Sequence, residues 1–287
     1  MIVVMSNRGL DDWTGDLDES PRYAGRAEMA TPWDARTYDR TSAPQQSWAE
    51  DVLARLGGLA PDATVLDIGC GTGRVTETLL ELVPRGRVLA IDSSQEMVTL
   101  ARERLGERAE VWCQSALDLD LREEVDVVVS TAALHWVPEH DRLWVALARA
   151  LRPHGALEVQ CGGAGNIARV RAAIAQAARA HAPELIGFSP WIFATPEETE
   201  QRLVKAGFGA IRCWLQERPT FPDELGEFVR TSILAAHIER SFPAHREALV
   251  RAVTEQVRPP LDYVRLNISA VRREPALAGH AVGDQRS

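Results

Sequence analysis

From residue 64 to residue 161 the chain alternates between two kinds of segment. Short apolar runs, TVLDI (64–68), RVLAID (87–92), AEVWC (109–113), VDVVVS (125–130) and GALEVQC (155–161), are separated by stretches with helical spacing. Parallel strands cannot be joined by a tight turn; each needs a crossover, usually a helix. The pattern therefore confines the fold to βαβ units, a doubly wound parallel sheet with helices on both faces. VDVVVS is almost wholly apolar, which predicts a central strand covered on both sides. Helices are predicted from about 73 to 82, from Ser93 to 105 and from about 141 to 151. Ser93 with Glu96 three residues on fits a capping box.

After Gly162-Gly163 the alternation stops. Residues 166–182 are Ala-rich and predict a helix. Pro183, Pro190 and Pro196 punctuate a loop or lid, and a helix at 196–206 with a strand at 209–217 resumes the sheet. Two more helices are predicted at 222–240 and 243–257. YVRLNISAVRR (263–273) alternates in polarity and predicts a last strand at the sheet edge. The expected organisation is an N-terminal arm at 1–32, one domain at 33–275 and a polar tail at 276–287. Within the domain the core spans 60–161, with lid and helical insertions at 162–200 and 220–260. One or two short helices are expected between 33 and 59.

A formal net charge of −9 disfavours nucleic acid and anionic membrane as partners, because those surfaces are themselves negative. No apolar run is long enough to span a bilayer, and MIVVM is not followed by an apolar core and a small-residue cleavage site. A cytoplasmic location is the expectation. The four cysteines form no C-x-x-C pair, so no metal is expected; Cys113, Cys161 and Cys213 fall in strand-like runs, as buried free thiols do. The arm could dock on a second copy, which leaves a homo-oligomer open.

The first strand runs into VLDIGCGTGR (65–74). A glycine-rich turn after a strand lets backbone approach a ligand closely. The dinucleotide fingerprint needs glycine at its first, third and sixth positions. Here the sixth is Arg74, and the Gly-Lys-Ser/Thr ending of a phosphate loop is absent. Asp67, at the strand tip, would repel a pyrophosphate and suits a ligand with a cationic end. S-adenosylmethionine has one, an ammonium and a sulfonium. Asp92 closes the second strand, where a carboxylate can accept both hydrogen bonds of a ribose diol; it could instead serve only to cap a helix.

VLDIGCGTG, VLAIDSSQEMVTLAR and VDVVVSTAALHWVPEH resemble the motifs of the class I S-adenosylmethionine-dependent methyltransferases. STAALHWVPEHDRLW and AGFGAIRCW are similar to the trans-aconitate and malonyl-carrier-protein O-methyltransferase group. The resemblance implies a Rossmann-like α/β fold with a mostly parallel seven-stranded sheet and one antiparallel strand near its edge. It implies S-adenosylmethionine as cofactor and a small-molecule acceptor. It places Asp67, Gly69, Cys70 and Gly71 around the methionine moiety, Asp92 and Ser93 at the ribose, and Thr131 beside the cofactor at the end of the fourth strand. Met97, Ser115 and Ala116 fall at the adenine, with Met97 open to a plain core role. Ser115 stands where many members carry an aspartate, so the hydrogen bond is kept and the charge is lost. Tyr38 either covers the cofactor or packs its helix on the sheet.

Methyl transfer is an in-line displacement with a neutral leaving group, so positioning can supply much of the rate. A base is needed only when the nucleophile carries a proton. His135, after the fourth strand, is the candidate base or acceptor contact; it could equally buttress its loop. Trp136 packs under the loop or lines the site. Trp191 and Phe193 read as lid residues over an apolar acceptor or as loop packing. Arg230 and His237, seven apart on one predicted helix, share a face and could grip an anionic acceptor, or simply be surface charge. The expected function is methyl transfer to oxygen, nitrogen or carbon of a small molecule. An RNA- or protein-directed methyltransferase, or a cofactor-binding cyclase that does not methylate, stays open beside it.

Overall fold

The computed structural model describes residues 35–41 and 43–274. The arm expected at 1–32 and the tail at 276–287 lie outside the described residues, as does the side chain of Tyr38. Seven strands, β1 (Thr64–Ile68), β2 (Arg87–Asp92), β3 (Glu110–Cys113), β4 (Val125–Thr131), β5 (Leu151–Gly162), β6 (Phe208–Glu217) and β7 (Val264–Arg272), form one sheet in the order β3-β2-β1-β4-β5-β7-β6. The first five are parallel; β7 runs antiparallel to both its neighbours. The strand order reverses beside β1, and a ligand crevice opens beyond the carboxyl ends at such a point.

The helices are α1 (Ala35–Thr41), α2 (Ala43–Arg55), α3 (Arg74–Leu82), α4 (Gln95–Leu105), α5 (His140–Ala150), α6 (Ala168–His181), α7 (Pro196–Lys205), α8 (Leu225–Phe228), α9 (Ala235–Arg240) and α10 (Arg246–Gln256). Because strand side chains alternate between faces, Leu66, Ile68, Leu89 and Ile91 pack toward α5 and α7 through Leu143, Leu147 and Leu203. Val65, Val88, Val127 and Val129 pack the other way against Val52 of α2 and Leu79 of α3. A third apolar cluster joins Trp48 of α2, Ile174 of α6, Phe228, Val253 of α10 and Tyr263, and forms a helical cap beside the sheet.

Three expectations change. β7 is not an edge strand; it lies between β5 and β6. Its alternation reflects a polar interior and not solvent. Asn267 accepts from Gln160 (3.0 Å) and Arg55 (3.2 Å), while Ser269 and Arg55 both donate to Glu158 (2.7 and 2.6 Å). The cap of α4 is Ser94, whose Oγ accepts from Met97 N, because Asp92 Oδ1 takes Ser94 N (2.8 Å) and holds the chain one residue longer in extended form. The helix expected at 222–240 is broken into α8, a π-turn (Val229–Ile233) and α9. The cysteines are all free thiols, with Cys70 and Cys161 buried and Cys113 and Cys213 half-buried. Among the described residues no helix is long and apolar enough to cross a membrane.

Candidate functional site

A cleft of about 860 Å³ opens at the carboxyl ends of β1, β2 and β4. The glycine turn after β1 forms its floor. Gly69 N and Cys70 N both donate to Ile91 O (2.8 and 3.0 Å), which clips the turn to β2. Gly69, Gly71 and Gly73 all have positive φ, at 72°, 55° and 84°, a region that side chains disfavour. A Cβ at Gly69 would stand 2.2 Å from Ala133 Cβ, whereas one at Gly71 would meet nothing within 4 Å. Gly69 thus permits the β4 loop to close over the turn, and Gly71 leaves backbone open to the cleft. Gly73 lets α3 start against α4, where a Cβ would stand 3.3 Å from Ala101 Cα. Arg74, next in line, forks onto Asp39 of α1 (2.7 Å from Nε and from a terminal nitrogen). Thr72 and Arg104 also reach Asp39, whose carboxyl the Arg74 guanidinium holds well below the usual range against the cost of burial. This cluster straps α1 across the turn.

Asp92 lines the cleft with both oxygens already engaged by backbone, Oδ2 by Gly71 N (2.9 Å) and Oδ1 by Ser94 N (2.8 Å). Each carboxylate oxygen has a second lone pair to offer. Burial raises its pKa in spite of those bonds. Ser93, Met97, Ser115 and Ala116 continue the same wall. Ser115 Oγ accepts from Leu117 N (3.2 Å), capping the single turn Ala116–Asp118. Thr131 and Ala133 form the middle of the cleft, with Ala132 at φ 55° between them. The far wall is Trp136, Phe188, Pro190, Ala236 and Arg240.

A methyltransferase domain model matches residues 65–155, from β1 into β5. An uncharacterized methyltransferase of Schizosaccharomyces pombe is 30% identical over 233 residues, 77% of this chain and 87% of that one. The chain belongs to the class I S-adenosylmethionine-dependent methyltransferases. A trans-aconitate 2-methyltransferase of an Azoarcus species is 38% identical over 133 residues, 45% of this chain and half of that relative's length. In fold, the YcgJ protein of Bacillus subtilis matches with a TM-score of 0.58 at 16% identity, over 80% of this chain and all of that one.

In this methyltransferase the glycine turn, Asp92, Met97, Ser115 and Thr131 meet in one cleft, as a cofactor site requires. Two expected contacts fall outside it. Asp67 is 1% exposed and lies beneath the turn, with Oδ2 accepting from Thr76 Oγ1 (2.7 Å) and Oδ1 buried without a hydrogen-bond partner among the described residues. Burial, reinforced by nearby Asp92, pushes its pKa up to about 7. Cys70 points into the α4 packing with Ala101 and Leu105. Two buried carboxylates, one with an unanswered oxygen, beside backbone that opens on empty space fit a bound group with a cationic end.

His135 does not reach the large cleft. It is 7% exposed, its Nδ1 accepts from Gly162 N (3.3 Å), and its rings of contact are Trp136 and Phe193. The Gly162 N–H assigns the proton to Nε2. Burial first, then the charge of Arg265, holds the imidazole well below its ordinary pKa. A neutral ring whose acceptor nitrogen is occupied is a hydrogen-bond donor and not a general base. Trp191 and Phe193 are stacked (5.6 Å, 11°); Trp191 is buried against Trp136 and His237, and half-buried Phe193 lies against His135. They stand behind Trp136, while Phe188, Ser189 and Pro190 face the cleft.

The anion grip expected of Arg230 and His237 is not formed. The π-turn adds a residue per turn and rotates them off a common face. Arg230 pairs with Glu247 (2.5 Å) at the surface. His237 is 1% exposed, packed between Phe188 and Trp191, with its pKa lowered by burial to about 4. The buried cation beside the site is Arg265 on β7, 1% exposed and 4.3 Å above the Trp48 ring. Sequence reasoning missed it because its polar alternation on β7 read as solvent exposure.

Proposed function

We propose that this chain transfers a methyl group from S-adenosylmethionine to a small-molecule acceptor held between Trp136, the 188–190 loop and α9. One observation carries the reading: a single cleft joins the Gly71–Asp92–Ser115 wall to the Trp136–Phe188–Ala236 wall, with Thr131 and Ala133 between them. The cofactor supplies an electrophilic methyl on a cationic sulfur. The chain's own part is positional. Gly71 brings bare backbone to the methionine end, and Asp67 and Asp92 set a negative field there. Asp92 accepts the ribose hydroxyls. Met97, Ser115 and Ala116 border the adenine, where the Ser115 hydroxyl replaces a carboxylate. The aromatic wall excludes water from the displacement.

His135 supplies no base, so the reading favours an acceptor whose nucleophile needs none, such as a carboxylate. The likeness to a trans-aconitate 2-methyltransferase supports a small acid. The test is calorimetry with S-adenosylmethionine and S-adenosylhomocysteine on wild type and Asp92→Ala. Micromolar binding that collapses in the variant supports the reading; no binding to wild type would end it.

A further inference from the structure

The strands β1, β2 and β3 stand side by side in the sheet, and past the carboxyl end of each the cleft has one polar contact point: Gly71, Asp92 and Ser115. A nucleoside with its cationic end at Gly71 and its ribose hydroxyls on Asp92 has one direction left for its base, outward past β3. There the base meets Gln114, Ser115, Ala116 and Leu117, with Met97 of α4 on the same wall.

That wall is neutral. Asp118, at its rim, is exposed, where water screens a charge. Donors of fixed direction are committed within the wall itself. Leu117 N donates to Ser115 Oγ (3.2 Å), Asp118 N to Ser115 O (3.0 Å) and Gln114 Nε2 to Asp118 O (2.8 Å). The half-buried Ser115 hydroxyl is of another kind. A hydroxyl has one proton and two lone pairs, and Leu117 N takes one lone pair. One proton and one lone pair remain, and rotation about the Cβ–Oγ bond turns either toward a ligand.

Purines differ at the edge such a hydroxyl meets. A 6-aminopurine offers an N–H beside a bare N1. A 6-oxopurine offers the reverse, a carbonyl oxygen beside an N1–H. A hydroxyl answers both, since it can accept from the amino group or donate to the oxo group, and donate to bare N1 or accept from N1–H. A carboxylate only accepts and a backbone N–H only donates, so either of those would tell the two bases apart.

We infer that Ser115 is a specificity-determining residue that leaves the base wall indifferent to the exchange of a 6-amino for a 6-oxo group, so that the deaminated, S-inosyl class of ligand also occupies this cleft. The inference rests on the methyl-transfer reading of the same cleft.

The test is calorimetry on the full chain with S-adenosylhomocysteine and S-inosylhomocysteine, which differ only at that edge. Wild type should hold the two within about tenfold, the worth of one neutral hydrogen bond. Ser115→Asp still caps Leu117 N and puts an acceptor-only oxygen at the edge. It should keep S-adenosylhomocysteine and widen the ratio against the inosyl ligand by about 10–100-fold, the cost of facing an acceptor with an acceptor. Ser115→Ala should weaken both ligands alike. Asp118→Asn should leave the ratio within about threefold. If S-adenosylhomocysteine fails to bind wild type, the methyl-transfer reading falls and takes this inference with it. If it binds and wild type prefers it by more than about tenfold, or Ser115→Asp leaves the ratio unchanged, the inference alone is overturned. A larger shift in Asp118→Asn would also overturn it, by giving the discrimination to the rim carboxylate.

Discussion

Replacing Gly69 by alanine tests the floor of the site most directly. Two separate penalties meet there. The backbone has φ 72°, and an L-residue held in the left-handed region costs about 1–2 kcal/mol. The new Cβ would also stand 2.2 Å from Ala133 Cβ. Carbon atoms sit comfortably at about 3.5–4.0 Å, so the β4 loop must retreat by more than an ångström. Overpacking of this kind costs about 1–3 kcal/mol. Together, at about 2–5 kcal/mol, they should lower the melting temperature by about 3–8 °C in a domain of this size. Because Ala133 and Thr131 border the cleft, the retreat should also weaken S-adenosylhomocysteine. The double variant Gly69→Ala/Ala133→Gly removes the clash and leaves the φ penalty. Calorimetry and thermal melts on the four-member cycle should show strong coupling, with the double variant regaining the overpacking part. Strictly additive effects would refute the contact, and an unchanged Gly69→Ala would refute both penalties.

Other outcomes follow from the same geometry. Asp92→Asn cannot accept from Gly71 N and Ser94 N at once, so S-adenosylhomocysteine should bind about 10–100-fold more weakly by calorimetry. Asp67, raised by burial to about 7, is driven toward its charged form by a neighbouring cation; S-adenosylmethionine binding at pH 7 should release protons, read from binding heats in buffers of different ionisation enthalpy. His237 is depressed to about 4, below its unfolded value. Its stabilising contribution is present above about pH 6.5 and is lost as pH falls toward 4, about 2 kcal/mol of it by pH 5. His237→Phe should therefore flatten the loss of stability between pH 7 and pH 5 in denaturant titrations. Asp39→Ala releases Arg74, Thr72 and Arg104 together, and amide exchange across α1 should rise by at least tenfold while β1 stays protected.

The glycine-turn wall of the cleft was legible in the sequence because it is local. Gly69, Gly71 and Asp92 lie at the ends of two adjacent strands whose apolar runs announce them, and Ser115 follows the third. The side-chain directions of Asp67 and Cys70 were not legible, since a residue at the tip of a strand faces either the ligand or the helix behind it. A smaller cavity behind the cleft had no local signal. Trp48, His135, Trp191, Ser232 and Arg265 meet only through tertiary packing. Arg230 and His237 misled because a seven-residue spacing means a shared face only in an unbroken α-helix. Arg265, Asn267 and Ser269 misled because a buried polar network writes the same period-two pattern as water.

The place of β7 has a consequence for how the molecule comes into being. Among the described residues β6 has no sheet neighbour except β7, and β7 bridges it to β5. While the ribosome is still upstream of residue 264, β5 offers a bare antiparallel edge and β6 has nothing to pair with. The seventh strand then closes that edge, docks β6 and delivers Arg265 beneath Trp48 in one event. A nascent chain stalled short of it presents an adhesive sheet edge.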